Sequence, residues 1–461
     1  MDPILQASAV EQARRIREGA ISSVELVEAH LRHIHQIDPA IHAIVDLLAE
    51  TALVEARKAD DARARGQSLG PFHGVPFSIK DSIELAGTRC TAGTIGRASA
   101  PPSTADATLV ARLRQAGAIP IAKTNLPDLL FAFETDNLLF GRTNNPYNLA
   151  RTPGGSSGGE AALIAAGGSP MGLGSDCAGS VRLPAAFCGI AGIKPTSGRL
   201  PRTGHFPPAG GWIEALWQIG PMARRVEDLS AMMQVLAGAD GYDHTAVDLG
   251  FTPLDPHKLS ELRVAFFTAG ASPRVAHVVE SAALSLSGAV DRIEANQPGC
   301  LDETYDLEMK LLGADGGDAL RAYLTDLGST RLHPLLIGWL DKLEAYRTDL
   351  AGFQGYWNQW TGYVLRMAAF FRQYDVLLCP AYAQPALPHR TSTLDGNFRA
   401  FRATMAFNLS GLPAAVVRCG QSDDGLPIAV QVVARAWRED IALAVTARLE
   451  EALGGWQAPA L

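Results

Sequence analysis

Apolar and polar positions alternate with helical spacing at the start of the chain. Val24, Val27, Leu31 and Ile34 fall on one face of a 3.6-residue period. Ser22, with Glu25 three residues later, is a capping-box signature that predicts where that helix begins. Gly19 just upstream predicts a break after a preceding helix. Residues 4–67 are therefore expected to be helical. From Gly70 the pattern shortens: GPFHGVPFSIKD reads as a β-rich segment punctuated by Gly and Pro. TLVARLRQAGAIPIAKTN then reads as helix, Gly stop, strand. The alternation returns after Tyr374, with DVLLCP, AAVVRCG and IAVQVV as strands and a closing helix over Glu439–Leu453. Such alternation predicts an α/β architecture with a largely buried sheet.

Two stretches depart from this pattern. Residues 151–200 are packed with Gly, Ser and Ala and carry few charges. Flexible linkers share that composition, but here Ile, Leu, Val, Phe and Cys are interleaved, which predicts a buried, tightly turned segment. Residues 236–370 read as helix-rich, with Trp339, Trp357 and Trp360 as core or pocket wall. No internal repeat, linker or charge block divides the 461 residues, so one large domain is expected in spite of the length.

Composition narrows the function classes. The chain is 47% hydrophobic and 19% charged, ordinary for a globular protein. A net charge of −8 with scattered basic residues argues against nucleic acid, whose phosphates need a concentrated positive face. The first residues have no basic region followed by an apolar run, so no secretory signal is expected. No stretch approaches the roughly 20 apolar residues of a membrane helix. LLFAF from Leu129 and AALIAAGG from Ala161 are short and read as core. The six cysteines form no CxxC pair and have no zinc-ligand spacing with histidine. They are expected to be buried free thiols in a reducing, cytoplasmic setting.

The serines are the first candidates for chemistry. GGSSGG at 154–159 matches G-x-S-x-G at both Ser156 and Ser157, the pattern of a nucleophile elbow. That elbow needs a strand immediately before it. NNPYNLARTP is loop-like and holds Pro146 and Pro153, so the context fails. A phosphate loop needs Lys after its last glycine, and Gly159 is followed by Glu160. Gly172 and Gly174 lack a third glycine at dinucleotide spacing. A third reading joins separated residues. Lys80 follows the apolar run VPFSI, and a lysine on a buried strand is desolvated into a neutral amine able to accept a proton. Ser180 follows GSDCAG, where small residues let backbone N–H groups face an oxyanion. Ser156 can donate and accept, and so pass a proton between the two. The structural alternatives are a solvated surface lysine and serines that form turns or cap helices.

The order of motifs resembles the amidase signature family over nearly the full length. GVPFSIKD at 74–81 resembles its lysine segment. GGSSGGEAALIA at 154–165 and GSDCAGSVRLPAAFCGIAGIKPT at 174–196 resemble its signature stretch. QIGPMARRVEDL at 218–229, NLSGLPAAVV at 408–417 and GLPIAVQVV at 425–433 resemble later blocks. The resemblance implies a central mixed, twisted sheet with helices on both faces in one domain, 1–461. That domain comprises N-terminal helices (1–68), a signature core (69–235), a helix-rich variable region (236–373) and a C-terminal return to the sheet (374–461). It implies a Ser–cisSer–Lys triad: Ser180 as nucleophile, Ser156 as bridge after a cis peptide, Lys80 as base, with Ser157 in support. The oxyanion hole would be the amides of Cys177, Ala178, Gly179 and Ser180. No cofactor or metal is implied. The family usually has Gly-Gly-Ser where this chain has Ala178-Gly179-Ser180. Alanine there is strained if the position needs positive φ, and otherwise only narrows the pocket.

The resemblance points to a free-standing amidase of the fatty-amide-hydrolase-like branch, monomeric or homodimeric, acting on a small-molecule amide. LLFAFETDNLLF at 129–140 with Phe206, Trp212 and Trp217 are candidate walls of an apolar pocket. Such a pocket suits hydrophobic acyl or aryl amides, with esters and carbamates (urethanes) as side substrates. The family's amidotransferase member, which releases ammonia from glutamine within a complex, is the alternative. It carries a glutamine shortly after the nucleophile, where this chain has Leu183. A catalytically inactive scaffold is the third reading.

Overall fold

The computed structural model describes residues 2–208 and 210–461, apart from the side chains of Trp212 and Pro256. Its strands in chain order are β1 (Ile44–Leu47), β2 (Pro76–Lys80), β3 (Ile119–Thr124), β4 (Asp136–Asn137), β5 (Gly141–Arg142), β6 (Met171–Asp176), β7 (Ala191–Lys194), β8 (Gln218–Ala223), β9 (Arg263–Phe266), β10 (Arg292–Ala295), β11 (Val376–Pro380), β12 (Ala414–Gln421) and β13 (Pro427–Ala434). β4 and β5 form a small antiparallel pair. The other eleven make one sheet in the order β1-β3-β2-β6-β8-β7-β12-β13-β11-β9-β10. The sheet is mixed: β3, β2 and β6 run parallel, as do β11, β9 and β10, and the pairs between them are antiparallel. This is the single-domain α/β architecture expected from the alternation of elements.

The two-residue period of a strand sorts side chains to opposite faces. On β2, Phe77 and Ile79 join the core formed with helices Thr108–Gln115, Val226–Leu236, Pro273–Ser285 and Glu439–Leu453. Ser78 and Lys80, in the alternate positions, point to the other face. That face is covered near β2 by helices Ser23–Ile41, Ala49–Ala64, Gly158–Ala165 and Arg182–Phe187. Farther along it is covered by Thr304–Leu312, Leu350–Phe370 and Arg402–Leu409. Residues 151–200 are buried almost throughout, as their apolar content predicts.

The Ser22–Glu25 capping box is present, with both reciprocal hydrogen bonds. The closing helix spans Glu439–Leu453, and all six cysteines are free, five of them buried and Cys177 half-buried. Two expectations change. Residues 4–67 are not helical throughout: His42 takes a left-handed conformation that ends its helix, and Ile44–Leu47 pairs antiparallel with β3. The helix-rich region contributes β9 and β10, which extend the sheet past β11. Both are strands of four residues, too short for a periodicity signal. Among the described residues no helix is long and apolar enough to cross a membrane.

Replacing Ser22 by Ala removes the side-chain cap and should lower stability by about 1 kcal/mol. A urea denaturation midpoint equal to that of the wild type would contradict this.

Candidate active site

β2 and β6 are parallel, with Ser78 opposite Gly172 and Ile79 opposite Leu173. Their carboxyl ends therefore lie side by side, and Lys80 and Ser175 meet there. Lys80 is fully buried. Its amine donates to Ser156 Oγ at 2.7 Å and to Ser175 Oγ at 3.0 Å. Ser156 sits on the turn that enters helix Gly158–Ala165, and the Gly155–Ser156 peptide is cis. Ser157 is a different case. Its hydroxyl donates to Ser175 O at 3.2 Å and accepts from Ser175 N, and its own amide donates to Ser180 O at 3.1 Å. Ser157 therefore binds the two serine turns together, while Ser156 is the hydroxyl that touches the lysine. Burial drives the Lys80 amine well below the ordinary lysine range; Asp176, Glu160 and Cys177 partly oppose this.

The turn 176–182 carries Ser180 and is held from its two ends. Asp176 accepts the amides of Gly179 at 2.8 Å and Val181 at 3.1 Å. It also pairs with the Arg182 guanidinium at 2.9 Å and accepts from Asn408 Nδ2 at 2.9 Å. Arg182 reaches Thr404 O at 2.8 Å and Gln431 Oε1 at 2.7 Å. Thr404 Oγ1 donates to Ala178 O at 2.8 Å. Burial alone would raise the Asp176 carboxyl, but the Arg182 charge and the hydrogen bonds from Arg182 and Asn408 outweigh it and hold the group well below the carboxylate range. Gly179 has φ +123°, and a Cβ there would overlap Thr404 Oγ1. Ala178 is not among the residues with positive φ. Its methyl lines the cavity instead, so alanine is unstrained at that position.

Ser156, Ser175, Ala178 and Ser180 line a cavity of about 50 Å³ whose other walls include Phe131, Phe133, Trp217 and Trp339. Phe131, Ile213, Trp217 and Leu312 also line an adjoining apolar vestibule of about 700 Å³. Of the expected walls, Leu129–Phe133 and Trp217 are in place. Leu138 and Phe140 are exposed. Phe206 lines neither cavity; it stacks on Tyr323 beneath Arg97. The Trp212 side chain lies outside the described residues. Trp360 donates to Leu409 O, and Trp357 is partly exposed.

The sequence reading brings Lys80, Ser156 and Ser180 to one place. One of its oxyanion donors does not fit: the Gly179 amide is committed to Asp176, which leaves those of Cys177, Ala178 and Ser180. The Cys177 thiol is held well above the ordinary thiol range by burial and by the Glu308 and Asp176 carboxyls, so it is not a thiolate. Sequence reasoning does not single out Ser175, Glu160, Asp176, Arg182, Thr404 or Asn408. A signal exists for three of them: Glu160, Asp176 and Arg182 are charges inside a stretch otherwise built of small and apolar residues, where charges need partners. One group of described carboxylate and imidazole side chains is close enough to hold a cation, Glu214 with Asp243 and His244. Arg202 already bridges its two carboxylates.

Comparison with known proteins agrees over the full length. The family model described as Amidase matches residues 25–443. The chain is 33% identical to the A-type subunit of glutamyl-tRNA(Gln) amidotransferase from Prochlorococcus marinus (strain MIT 9313), covering 96% of each chain. It is 32% identical to fatty-acid amide hydrolase 2 of Homo sapiens, covering 99% of this chain and 91% of that one. The solved structure of 6-aminohexanoate cyclic dimer hydrolase with its substrate superposes with a TM-score of 0.86 at 28% identity, over 100% of this chain and 99% of that one.

Asp176→Asn leaves the Arg182 guanidinium buried without its counter-charge. It should destabilise the protein by about 3–5 kcal/mol. Because the folded carboxyl titrates below its unfolded value, the pair's contribution is present at neutral pH and lost only in strong acid. Unchanged thermal unfolding of the variant at neutral pH would show that the clamp is dispensable.

Proposed function

The chain belongs to the amidase signature family, hydrolases of carbon–nitrogen bonds, and from that premise we propose that it hydrolyses small hydrophobic acyl or aryl amides, with Ser180 as nucleophile, Ser156 as bridge and Lys80 as base. The observation that carries this reading is the 2.7 Å contact between a fully buried amine and Ser156 Oγ, at the wall of the cavity that Ser180 also lines. A neutral amine in that position is a general base.

In the proposed cycle Lys80 takes the Ser156 proton, and Ser156 takes the Ser180 proton. Ser180 Oγ then bonds to the carbonyl carbon, and the oxyanion rests on the Cys177, Ala178 and Ser180 amides. Ser156 returns a proton to the leaving nitrogen, regains its own from Lys80, and the amine departs. Water hydrolyses the acyl-enzyme by the same relay. A carbamate would react likewise, releasing in the end an amine, an alcohol and carbon dioxide, and an ester would release an alcohol.

The apolar walls support a hydrophobic substrate. The 33% identity to an amidotransferase component favours a second reading, ammonia release from glutamine inside a complex. Glutamine carries a carboxylate, which proteins usually hold with arginine or lysine. No such side chain is found among the described residues lining either cavity. That favours the free-standing amidase. An inactive scaffold is disfavoured because all three groups of the triad are present.

Ser180→Ala should abolish turnover of p-nitroanilide, ester and carbamate substrates while the fold persists. Ser156→Ala should be more damaging than Ser157→Ala. Wild-type rates in Ser180→Ala would reject the nucleophile, and the reverse order of the other two would move the bridge to Ser157. The kcat/KM profile should rise from acid towards alkaline pH as the amine sheds its proton. A profile flat across that range would reject a lysine base.

A further inference from the structure

Glu160 is a fully buried carboxyl with no part in the cycle described so far. It stands in the first turn of helix Gly158–Ala165, four residues after the bridging serine. Its Oε1 accepts from Ser78 Oγ, and its Oε2 accepts from Thr124 Oγ1 at 2.7 Å. Ser78 precedes Lys80 by two residues, on the same face of β2, and Thr124 is the β3 residue in register with Lys80. The carboxyl is thus tethered on the face from which the Lys80 side chain projects. The backbone leaves room for it: a Cβ at Gly172, opposite Ser78 on β6, would overlap Oε1.

The charges around this pair are few. From β6 and the turn that follows come Asp176, whose pull on Lys80 exceeds that of Glu160 but whose charge is shared with its salt-bridge partner Arg182, and the neutral Cys177. His205, which also feels the Lys80 charge, is kept neutral by burial, which lowers it to about 3. Lys123 on β3 is salt-bridged to Asp81. Lys194 and Glu439 belong to the surroundings of Asp176. Glu160 has neither a salt bridge nor a charged hydrogen-bond partner among the described residues.

We propose that Glu160 is a positioning residue for the charge on Lys80: its carboxylate is the counter-charge beside which the ammonium forms each time the relay delivers a proton. Without it, an amine buried so completely would be too weak a base to accept the Ser156 proton. Burial raises the Glu160 carboxyl to about 7, against the hydrogen bonds from Ser78 and Thr124 and the attraction of Lys80. The carboxylate is therefore the dominant form on the alkaline side of neutrality, where the amine works. The inference rests on Lys80 being the base.

The test compares pH–rate profiles of the wild type, Glu160→Gln, Glu160→Asp and Lys80→Ala on a p-nitroanilide substrate. Glutamine keeps an acceptor for one of the two hydroxyls but carries no charge. The acid limb in Glu160→Gln should move down by about one pH unit, the effect of one nearby opposite charge. Its kcat at alkaline pH should fall roughly tenfold with KM unchanged, because the base is weaker. Glu160→Asp should move both values back towards wild type. A Glu160→Gln acid limb coincident with the wild type, while Lys80→Ala is dead, would overturn the role of Glu160 and leave the base in place. Full activity in Lys80→Ala would overturn the base itself.

Discussion

The Lys80 amine lies wholly inside the protein, and much of the surrounding structure follows from what keeps it there. Burying an ammonium costs several kcal/mol unless it is paired or loses its proton. No carboxylate among the described residues pairs with it directly; Ser156 and Ser175 accept from it instead. Hydroxyl partners suit an amine whose charged form burial disfavours. The alternation of β2 sets up this arrangement, because Phe77 and Ile79 fill the core on one face while Ser78 and Lys80 occupy the other. A shift of one residue in the register of β2 would turn the amine into the apolar core.

A second constraint acts on the other strand. Lys80 is useful only if the turn after β6 presents Ser180 to the same cavity, and that turn is fixed by residues more than two hundred positions away. Asp176 and Arg182 hold each other at its base. Thr404, Asn408 and Gln431 take up the remaining hydrogen bonds of that pair or of the turn itself. The C-terminal return of the chain to the sheet therefore acts as a brace for the turn that carries Ser180. Two of the buried charges in the signature stretch, Asp176 and Arg182, neutralise one another, and a third, Glu160, is held by the hydroxyls of Ser78 and Thr124 on the face of the sheet from which Lys80 projects.

Legibility from sequence follows the range of the interactions. Local signals are clear: the Ser22 capping box, the strand before Lys80, and the helix from Glu439 to Leu453 all read directly from spacing and composition. Family motifs join Lys80, Ser156 and Ser180, which no local pattern could bring together across a hundred residues. Four-residue strands such as Ile44–Leu47 and Arg292–Ala295 escape a reading by pattern because they are too short to show a period. The commitment of the Gly179 amide to Asp176 is also hidden, since a glycine in a small-residue turn gives no hint of its acceptor. Phe206 is misplaced by sequence for a related reason: an aromatic in a loop can face a pocket or a neighbouring helix, and only packing decides.

The most direct test of the account is the rate at which a fluorophosphonate labels the protein as a function of pH, with the modified residue located by peptide mass spectrometry. One adduct is expected, on Ser180. Its rate should rise with a midpoint well below the ordinary lysine value of about 10.4, and the reaction should be lost when Lys80 is replaced by alanine. An adduct elsewhere, or an unchanged rate–pH curve in the lysine variant, would contradict it.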